Sequence, residues 1–207
     1  MGLVVVAGLI VALWPRHTPP VPPIGVSVAQ IGVGNHATTG AFDDGALTTA
    51  RAAAALRPCP TSASTPPQGP LAGVVVSCLG ASGTLDLGAA LGGRPALVNL
   101  WASWCGPCRA EIPILAAYAQ QPGAIQVLGL NVRDTPSAAL ALLSSLGAHY
   151  PSVVDTTGRG EAALAGPPVL PLSFLIASDG TARRIRDPGV FTTVAAIEGA
   201  VASAGLS

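Results

Sequence analysis

Two cysteines separated by two residues carry the clearest chemical signal in the sequence. The hexapeptide WCGPCR, residues 104–109, contains Cys105 and Cys108. It follows an apolar run and begins a predicted helix, whose first turn has unpaired N–H groups and the positive end of the helix dipole. This environment stabilises a thiolate, so we expect Cys105 to be the nucleophile of a thiol–disulfide exchange. Cys108 lies one turn later and is the expected resolving thiol.

A zinc site is the alternative chemistry for such a pair. A CxxC supplies half of an all-cysteine zinc site, which usually needs a second CxxC. The other two cysteines, Cys59 and Cys78, are nineteen positions apart, and none of the three histidines has a ligand spacing to the pair. We therefore expect no metal and no other cofactor.

Composition excludes one class of partner. The chain has 10 basic and 10 acidic residues, for a formal net charge of +0, whereas a nucleic-acid binder needs a basic surplus. We therefore expect no nucleic acid partner.

Charged residues make up only 10% and hydrophobic residues 50%. About 25% charged is usual for a soluble domain, so the chain is either partly embedded in a membrane or rich in buried Ala and Gly.

The sequence begins with an uncharged apolar run over residues 2–14. This run is shorter than the roughly 20 residues that span a bilayer, but it fits the about 7–15 residues of a signal-peptide core. We interpret residues 1–14 as a signal anchor with upstream residues missing, or as a cleaved signal peptide; a buried strand or helix is the third interpretation. The first two predict an extracytoplasmic protein, either on a single-pass membrane anchor or secreted after cleavage, in a compartment where disulfides persist.

Residues 15–70 have the composition of a Pro/Gly-rich extracytoplasmic linker. Its start, PRHTPPVPP, predicts a stiff and extended spacer. Asp44 is predicted to cap a short helix over Leu47–Leu56, which Pro58 ends. We expect the compact domain to follow, over residues 71–207.

Strand and helix signals alternate through this domain. The apolar run Ala96–Ala102 predicts a central strand buried on both faces, and Cys105–Gln120 predicts a helix interrupted at Pro113. The alternation closes on a hairpin signal at residues 178–180, which indicates an α/β sheet with an antiparallel edge. The other predicted elements are the strands Val74–Cys78, Thr84–Leu87, Ile125–Val132, Ser152–Asp155, Leu172–Ala177 and Thr181–Arg186, and the helices Pro136–Leu146, Glu161–Ala165 and Phe191–Ala204.

The stretch VNLWASWCGPCRAEIP, residues 98–113, resembles the active-site region of the TlpA/ResA-type thiol-disulfide oxidoreductases. These are membrane-tethered, extracytoplasmic members of the thioredoxin superfamily, and the resemblance covers roughly residues 71–207. It implies a thioredoxin-like fold with an N-terminal β-hairpin, a mixed sheet flanked by helices, and a central αβ insert, for which residues 125–165 have room. It also implies an enzyme that reduces disulfides of secreted proteins, apocytochrome c among them, and that is recharged by a membrane thiol-disulfide electron donor.

The resemblance assigns further residues to the site. The family has a cis-proline loop before the next strand, and VLPLSFLI, residues 169–176, matches it. Pro171 is then the cis-proline that faces Cys105, and Pro167 and Pro168 are nearby alternatives. The residues expected to contact the substrate are Trp104, Gly106, Pro107 and Leu170.

Two polar residues bear on proton transfer. Thioredoxin has a buried Asp six residues before its first cysteine, and this chain has Asn99 at that position. Asn cannot act as a base, so we expect Asn99 to be a hydrogen-bonded core residue. Glu111 lies three residues after Cys108, on the same helical face, and is placed to take the proton of Cys108. The alternative is that Glu111 is solvated and favoured there by the helix dipole.

The remaining cysteines suggest a second bridge. Four cysteines permit three connectivities, and if the CxxC is the redox pair, the other bridge is Cys59–Cys78. Closing a loop of about twenty residues contributes roughly 3 kcal/mol in the chain-entropy model, which favours a structural role over a regulatory redox pair.

Two other functions stay open at this point. The same fold works in the opposite direction as a dithiol oxidase. A redox-inert binding module would use the groove at Pro171, although such a module has no need of two intact thiols.

The reduction potential of the Cys105–Cys108 couple separates reductase from oxidase. The intervening Gly106-Pro107 is also the dipeptide of thioredoxin, whose couple lies near about −270 mV, and no His between the cysteines stabilises the dithiol as in oxidants such as DsbA at about −120 mV. We predict a couple below about −220 mV after equilibration in a redox buffer. A value above about −160 mV would contradict the reductase and favour the oxidase.

Overall fold

The computed structural model of the chain describes residues 39–61 and 66–205. The strands in these ranges are β1 (Val75–Cys78), β2 (Thr84–Asp86), β3 (Ala96–Trp101), β4 (Gln126–Val132), β5 (Ser152–Asp155), β6 (Leu172–Ile176) and β7 (Ala182–Arg184). The helices are α1 (Thr39–Ala54), α2 (Leu87–Leu91), α3 (Gly106–Tyr118), α4 (Pro136–Ser145), α5 (Arg159–Ala163) and α6 (Val194–Ser203). The predicted signal anchor over residues 1–14 lies outside these ranges, and within them no helix is both long and apolar enough to cross a membrane.

The strands form one mixed sheet in the order β2-β1-β5-β4-β3-β6-β7. Strand β3 lies between β4 and β6 near the centre of this order, and all six of its side chains are buried. It pairs in parallel with β4 and antiparallel with β6, and β4 pairs in parallel with β5. The hairpin β1–β2 and the edge strand β7 are antiparallel. The predicted α/β sheet with an N-terminal hairpin is confirmed, and β4, α4, β5 and α5 lie within residues 125–165, the segment expected to have room for the αβ insert.

Helices cover both faces of the sheet. Successive side chains of a strand point to opposite faces, so Leu97 of β3 packs in one core cluster with Ile112 of α3. Its neighbour Val98 packs in a second cluster with Leu87 of α2. The strand that leads into the cysteine pair is therefore held from both sides.

Helix α1 is longer than predicted and packs onto the domain. It begins at Thr39, so Asp44 lies within the helix and does not cap it. Ala54 at its end is fully buried, and the Ser144 hydroxyl of α4 donates a 3.2 Å hydrogen bond to the carbonyl of Ala53. Part of the segment predicted as linker thus contributes to the core.

Two local predictions differ from the structure. Helix α3 continues through Pro113. The proline has no N–H to donate to the carbonyl of Arg109. Both residues are exposed, so water can donate a hydrogen bond to that carbonyl instead. Helix α2 was not predicted, because five residues are too few for a periodic signal. Its start is set by Asp86, which accepts a 2.9 Å hydrogen bond from the N–H of Ala89.

Gly129 of β4 lies where no larger residue fits. A Cβ atom at this position would lie 2.5 Å from Ser152 Oγ, 2.8 Å from Trp101 Nε1 and 3.1 Å from Tyr150 Cε2. We predict that Gly129→Ala lowers the free energy of unfolding by about 1–3 kcal/mol, the usual effect of overpacking, as measured by urea denaturation. Gly199→Ala in α6 is the matched control, because an added Cβ there would meet no neighbouring atom within 4 Å. This substitution should raise the free energy of unfolding by up to about 1 kcal/mol. Equal stability of Gly129→Ala and wild type would contradict the packing described here.

Candidate active site

The cysteine pair lies where β3 passes into α3. Cys105 is the N-cap of α3, and its Sγ accepts a 3.2 Å hydrogen bond from the backbone N–H of Cys108. The two sulfurs are bonded to each other at 2.03 Å. Cys105 is 5% exposed and Cys108 is fully buried. An approaching thiol or disulfide therefore reaches Cys105 first.

A cis peptide bond precedes β6 next to this junction. The bond joins Leu170 to Pro171. Because Leu172 pairs with Leu100 of β3, Pro171 lies beside the end of β3, from which the chain continues to Cys105. Pro171 is buried and Leu170 is half-buried.

The alternative prolines, Pro167 and Pro168, both follow trans bonds. A second cis bond in the described ranges joins Asp187 to Pro188. The sequence held no signal for this bond, since any X-Pro bond has only a small chance of being cis.

An exposed indole lies directly before the first cysteine. Trp104 is 60% exposed, yet its Nε1 donates a 3.0 Å hydrogen bond to the carbonyl of Arg133. The Arg133 guanidinium lies 5.7 Å from the centre of the indole ring, within cation–π range, and its Nη2 is 3.3 Å from Oε1 of Glu161. The indole is thus held at the surface beside the pair, whereas Gly106 and Pro107 are exposed without such support.

Asp134, which the sequence analysis did not single out, supports the turn before the cysteines. Its carboxylate accepts hydrogen bonds from Ser103 N–H and Oγ, from Asn131 Nδ2 and from Thr135 N–H. Burial alone would raise the pKa of Asp134, but these hydrogen bonds together lower it, so the carboxylate stays charged at neutral pH. The sequence contains one indication of this role. Asp134 follows β4, and the carboxyl ends of neighbouring parallel strands lie at one edge of the sheet.

Glu111 is buried below the pair, with 1% of its surface exposed. Its Oε1 accepts a 2.7 Å hydrogen bond from Phe191 N–H, and its Oε2 accepts one of 2.8 Å from Asn99 Nδ2. Asn99 Nδ2 also donates to Ser173 Oγ at 3.0 Å. The interpretation of Glu111 as a solvated residue is therefore wrong, and Asn99 is a hydrogen-bonded core residue as expected.

The environment of Glu111 changes its acidity. Burial raises its pKa, and the hydrogen bonds from Phe191 and Asn99 offset only part of this effect. A carboxyl with a raised pKa exchanges protons closer to neutral pH than an ordinary one. One turn after Cys108, Glu111 is therefore suited to take up and release a proton.

A second disulfide connects the sheet's N-terminal hairpin to the segment before it. Cys59 and Cys78 are bonded at 1.98 Å, with 6.1 Å between their Cα atoms. The bond joins the segment after α1 to the end of β1. The pairing expected from the sequence is thus present, and all four cysteines are in disulfides.

Comparisons with known proteins agree on the chemistry of such a site. The Redoxin family model matches residues 71–186. The thiol:disulfide interchange protein CycY of Rhizobium leguminosarum bv. viciae is 38% identical over 94 residues, which are 45% of this chain and 50% of CycY. The chain spans about half the length of the curated relatives it matches.

Solved structures show the same architecture. A secreted disulfide oxidoreductase of Mycobacterium tuberculosis, homologous to E. coli DsbE, superposes with a TM-score of 0.54 at 26% identity, covering 62% of this chain and 94% of that one. MTB dsbF superposes with a TM-score of 0.58 at 19% identity, covering 68% and 99%, and supports the fold alone. The expected thioredoxin-like α/β fold is confirmed.

The raised pKa of Glu111 predicts a particular pH dependence of stability. The folded protein holds this proton more tightly than the unfolded chain, so the contribution of Glu111 is fully present below pH 4.5, its ordinary pKa, and is lost as pH rises through the folded value. The free energy of unfolding of wild type, measured relative to Glu111→Gln by urea denaturation, should therefore fall as pH rises from 4.5. Glu198→Gln, on the exposed face of α6, is the control and should follow wild type. Parallel pH curves for wild type and Glu111→Gln would contradict the burial of an ionisable carboxyl here.

Proposed function

The chain belongs to the Redoxin family, and on that basis we propose that it is a thiol-disulfide oxidoreductase whose reacting groups are Cys105 and Cys108. The observation that carries the proposal is the unequal access to two bonded sulfurs at the start of one helix. Cys105 keeps 5% of its surface exposed, whereas Cys108, one turn further along the helix, is fully buried. Exchange through such a pair is ordered, because only one sulfur meets the partner.

In the reducing direction, the reaction starts from the dithiol. The Cys105 thiolate attacks one sulfur of a substrate disulfide, and the other substrate sulfur leaves as a thiolate that takes a proton from water. Cys108 then loses its proton to Glu111 and attacks Cys105 Sγ, which releases the second substrate sulfur as a thiolate. The substrate disulfide gains two electrons, and the cysteine pair loses two as it closes.

The substrate would bind across the residues that surround Cys105. We assign Leu170, beside the cis Pro171, to pair its backbone with an extended substrate segment, as in the TlpA/ResA-type proteins that the sequence resembles. The exposed indole of Trp104 offers an apolar surface held by Arg133. The exposed Gly106 and Pro107 leave the approach to the sulfur open.

The reducing direction follows from the Gly-Pro dipeptide and from the resemblance to TlpA/ResA-type reductases. Substrates are then protein disulfides of exported thiol proteins, apocytochrome c among them, and a membrane thiol-disulfide donor restores the dithiol. The secreted relative and the disulfide outside the CxxC support an extracytoplasmic location, with residues 1–14 as the anchor. The oxidase is the second candidate, and the potential of the couple decides between the two.

The bond between Cys59 and Cys78 has a structural role in this proposal. It lies on the hairpin side of the sheet, apart from the strand β3 that leads to the redox pair, and it fixes the segment after α1 to β1.

Trapping tests the proposed order of attack. Cys108→Ser, mixed in its Cys105-thiol form with a disulfide protein such as insulin, should accumulate a mixed disulfide, because attack occurs and resolution does not. Mass spectrometry of the adduct should place the bond at Cys105. Cys105→Ser is the matched control and should trap nothing, since Cys108 is buried. An adduct on Cys108 in the Cys105→Ser protein would reverse the assigned roles.

A further inference from the structure

Arg133 has a backbone conformation that is unusual for its residue type. Its φ is 53°, in the left-handed region that residues other than Gly, Asn and Asp rarely adopt. The residue directly follows β4, at the edge of the sheet where β3 also ends. A glycine would adopt this conformation without steric cost. The presence of an arginine at this position points to a role for its side chain.

Both the backbone and the side chain of Arg133 contact Trp104. The carbonyl of Arg133 accepts the 3.0 Å hydrogen bond from the indole Nε1, and the guanidinium carbon lies 5.7 Å from the centre of the indole ring. The hydrogen bond holds one edge of the indole, and the cation contacts its face. One residue thus restrains Trp104 at two places, although most of the indole is exposed.

Glu161 of α5 holds the guanidinium in this position. Its Oε1 lies 3.3 Å from Nη2 of Arg133. The backbone of Glu161 is itself fixed, because Asp155 Oδ2 of β5 accepts a 3.0 Å hydrogen bond from its N–H. Polar contacts therefore run from β5 through α5 and Arg133 to Trp104, the residue directly before Cys105.

Trp104 is the apolar surface next to the reacting sulfur. Cys105 is only 5% exposed, so a partner that reaches its sulfur also covers the residues around it. A small disulfide meets little more than the sulfur. A protein disulfide brings along the residues on either side of its cysteines, and these meet the adjacent indole. The orientation of the indole therefore matters more for protein partners than for small disulfides.

We propose that Arg133 and Glu161 are positioning residues that fix the indole of Trp104 for the docking of protein disulfides. The proposal rests on the proposed function, in which a protein disulfide approaches Cys105. Both residues act through Trp104, and neither takes part in the exchange of sulfurs. An indole that is already fixed loses less conformational entropy when a partner binds. Its restraint therefore lowers the KM for protein disulfides and leaves kcat unchanged.

Arg133→Gly tests the proposal without disturbing the backbone. Glycine accepts the left-handed φ and keeps the carbonyl that binds the indole, so only the guanidinium is lost. The assay measures the reduction of insulin with dithiothreitol as the reductant. We expect the KM for insulin to rise about two- to fivefold at an unchanged kcat, since an exposed cation–π contact is worth about 0.5–1 kcal/mol and about 1.4 kcal/mol is tenfold. Arg133→Lys keeps a cation and should return the KM to within about twofold of wild type.

A small disulfide gives a second readout. Hydroxyethyl disulfide has neither a charge nor an aromatic ring, and it should oxidise reduced Arg133→Gly at the wild-type rate. Arg183→Gln is the matched control, because it removes the same charge from an exposed position of the edge strand β7. Arg183 pairs with Leu175, which pairs with Leu97 in the first half of β3, away from the end that leads to Cys105. This variant should match wild type with both disulfides.

A double-mutant cycle separates positioning from direct contact with the substrate. If Arg133 acts through the indole, Arg133→Gly does not change kcat/KM for insulin in a protein that already has Trp104→Ala. The same loss in both backgrounds would mean that the guanidinium contacts insulin directly, which overturns the proposal. Glu161→Gln should raise the KM by no more than Arg133→Gly does, and the two changes together should equal Arg133→Gly alone.

Stability measurements separate a loss of positioning from a loss of structure. Because glycine relieves the left-handed φ, Arg133→Gly should unfold at no lower urea concentration than wild type. A wild type that reduces neither insulin nor hydroxyethyl disulfide would overturn the proposed function and the positioning role with it. Wild-type values of KM for insulin in Arg133→Gly and Glu161→Gln, with normal reduction by the wild type, would overturn the positioning role alone. Glu161→Gln keeps the proposal testable should Arg133→Gly fail to fold.

Discussion

Glu111 is the point at which three distant parts of the chain meet. Its two oxygens accept hydrogen bonds from Asn99 in the central strand and from the backbone of Phe191, in the segment before the last helix. A carboxyl without these partners would be too costly to bury. The helix that bears the cysteine pair is thereby fixed over β3 and beside β6, which begins after the cis-proline. This polar contact joins the helix that carries the redox sulfurs to the strand that leads into them.

The same contact explains how the site differs from that of thioredoxin. Asn99 occupies the strand position where thioredoxin has an acid, and the acid of this chain comes from the facing helix. The amide then serves as a donor that orients the carboxylate. The positions of acid and amide are exchanged across the interface between β3 and α3, and the proposed transfer of a proton from Cys108 to Glu111 depends on this exchange.

Local patterns predicted much of the fold, because the residues that indicate a buried strand or the start of a helix are consecutive in the sequence. The apolar run into β3, the CxxC at the helix start and the hairpin at residues 178–180 are of this kind. What the sequence did not reveal depends on the pairing of distant strands. Asp134 supports Ser103 only because β3 and β4 end at the same edge, and Tyr150 meets Trp101 only because Gly129 lies between them. The only signal for Asp134 was its place directly after a predicted strand, and no local pattern distinguishes Tyr150 from an ordinary core residue.

The bond between Cys59 and Cys78 has a consequence for proteolysis. A protease that cuts the chain anywhere between these two cysteines produces fragments that stay covalently joined. Helix α1 would then remain against α4 through its packing and through the hydrogen bond from the Ser144 hydroxyl to the carbonyl of Ala53. Nicked in this stretch, the protein keeps its N-terminal segment and the segment that bears the CxxC as one particle. A reductant strong enough to open the hairpin bridge would be needed to separate them.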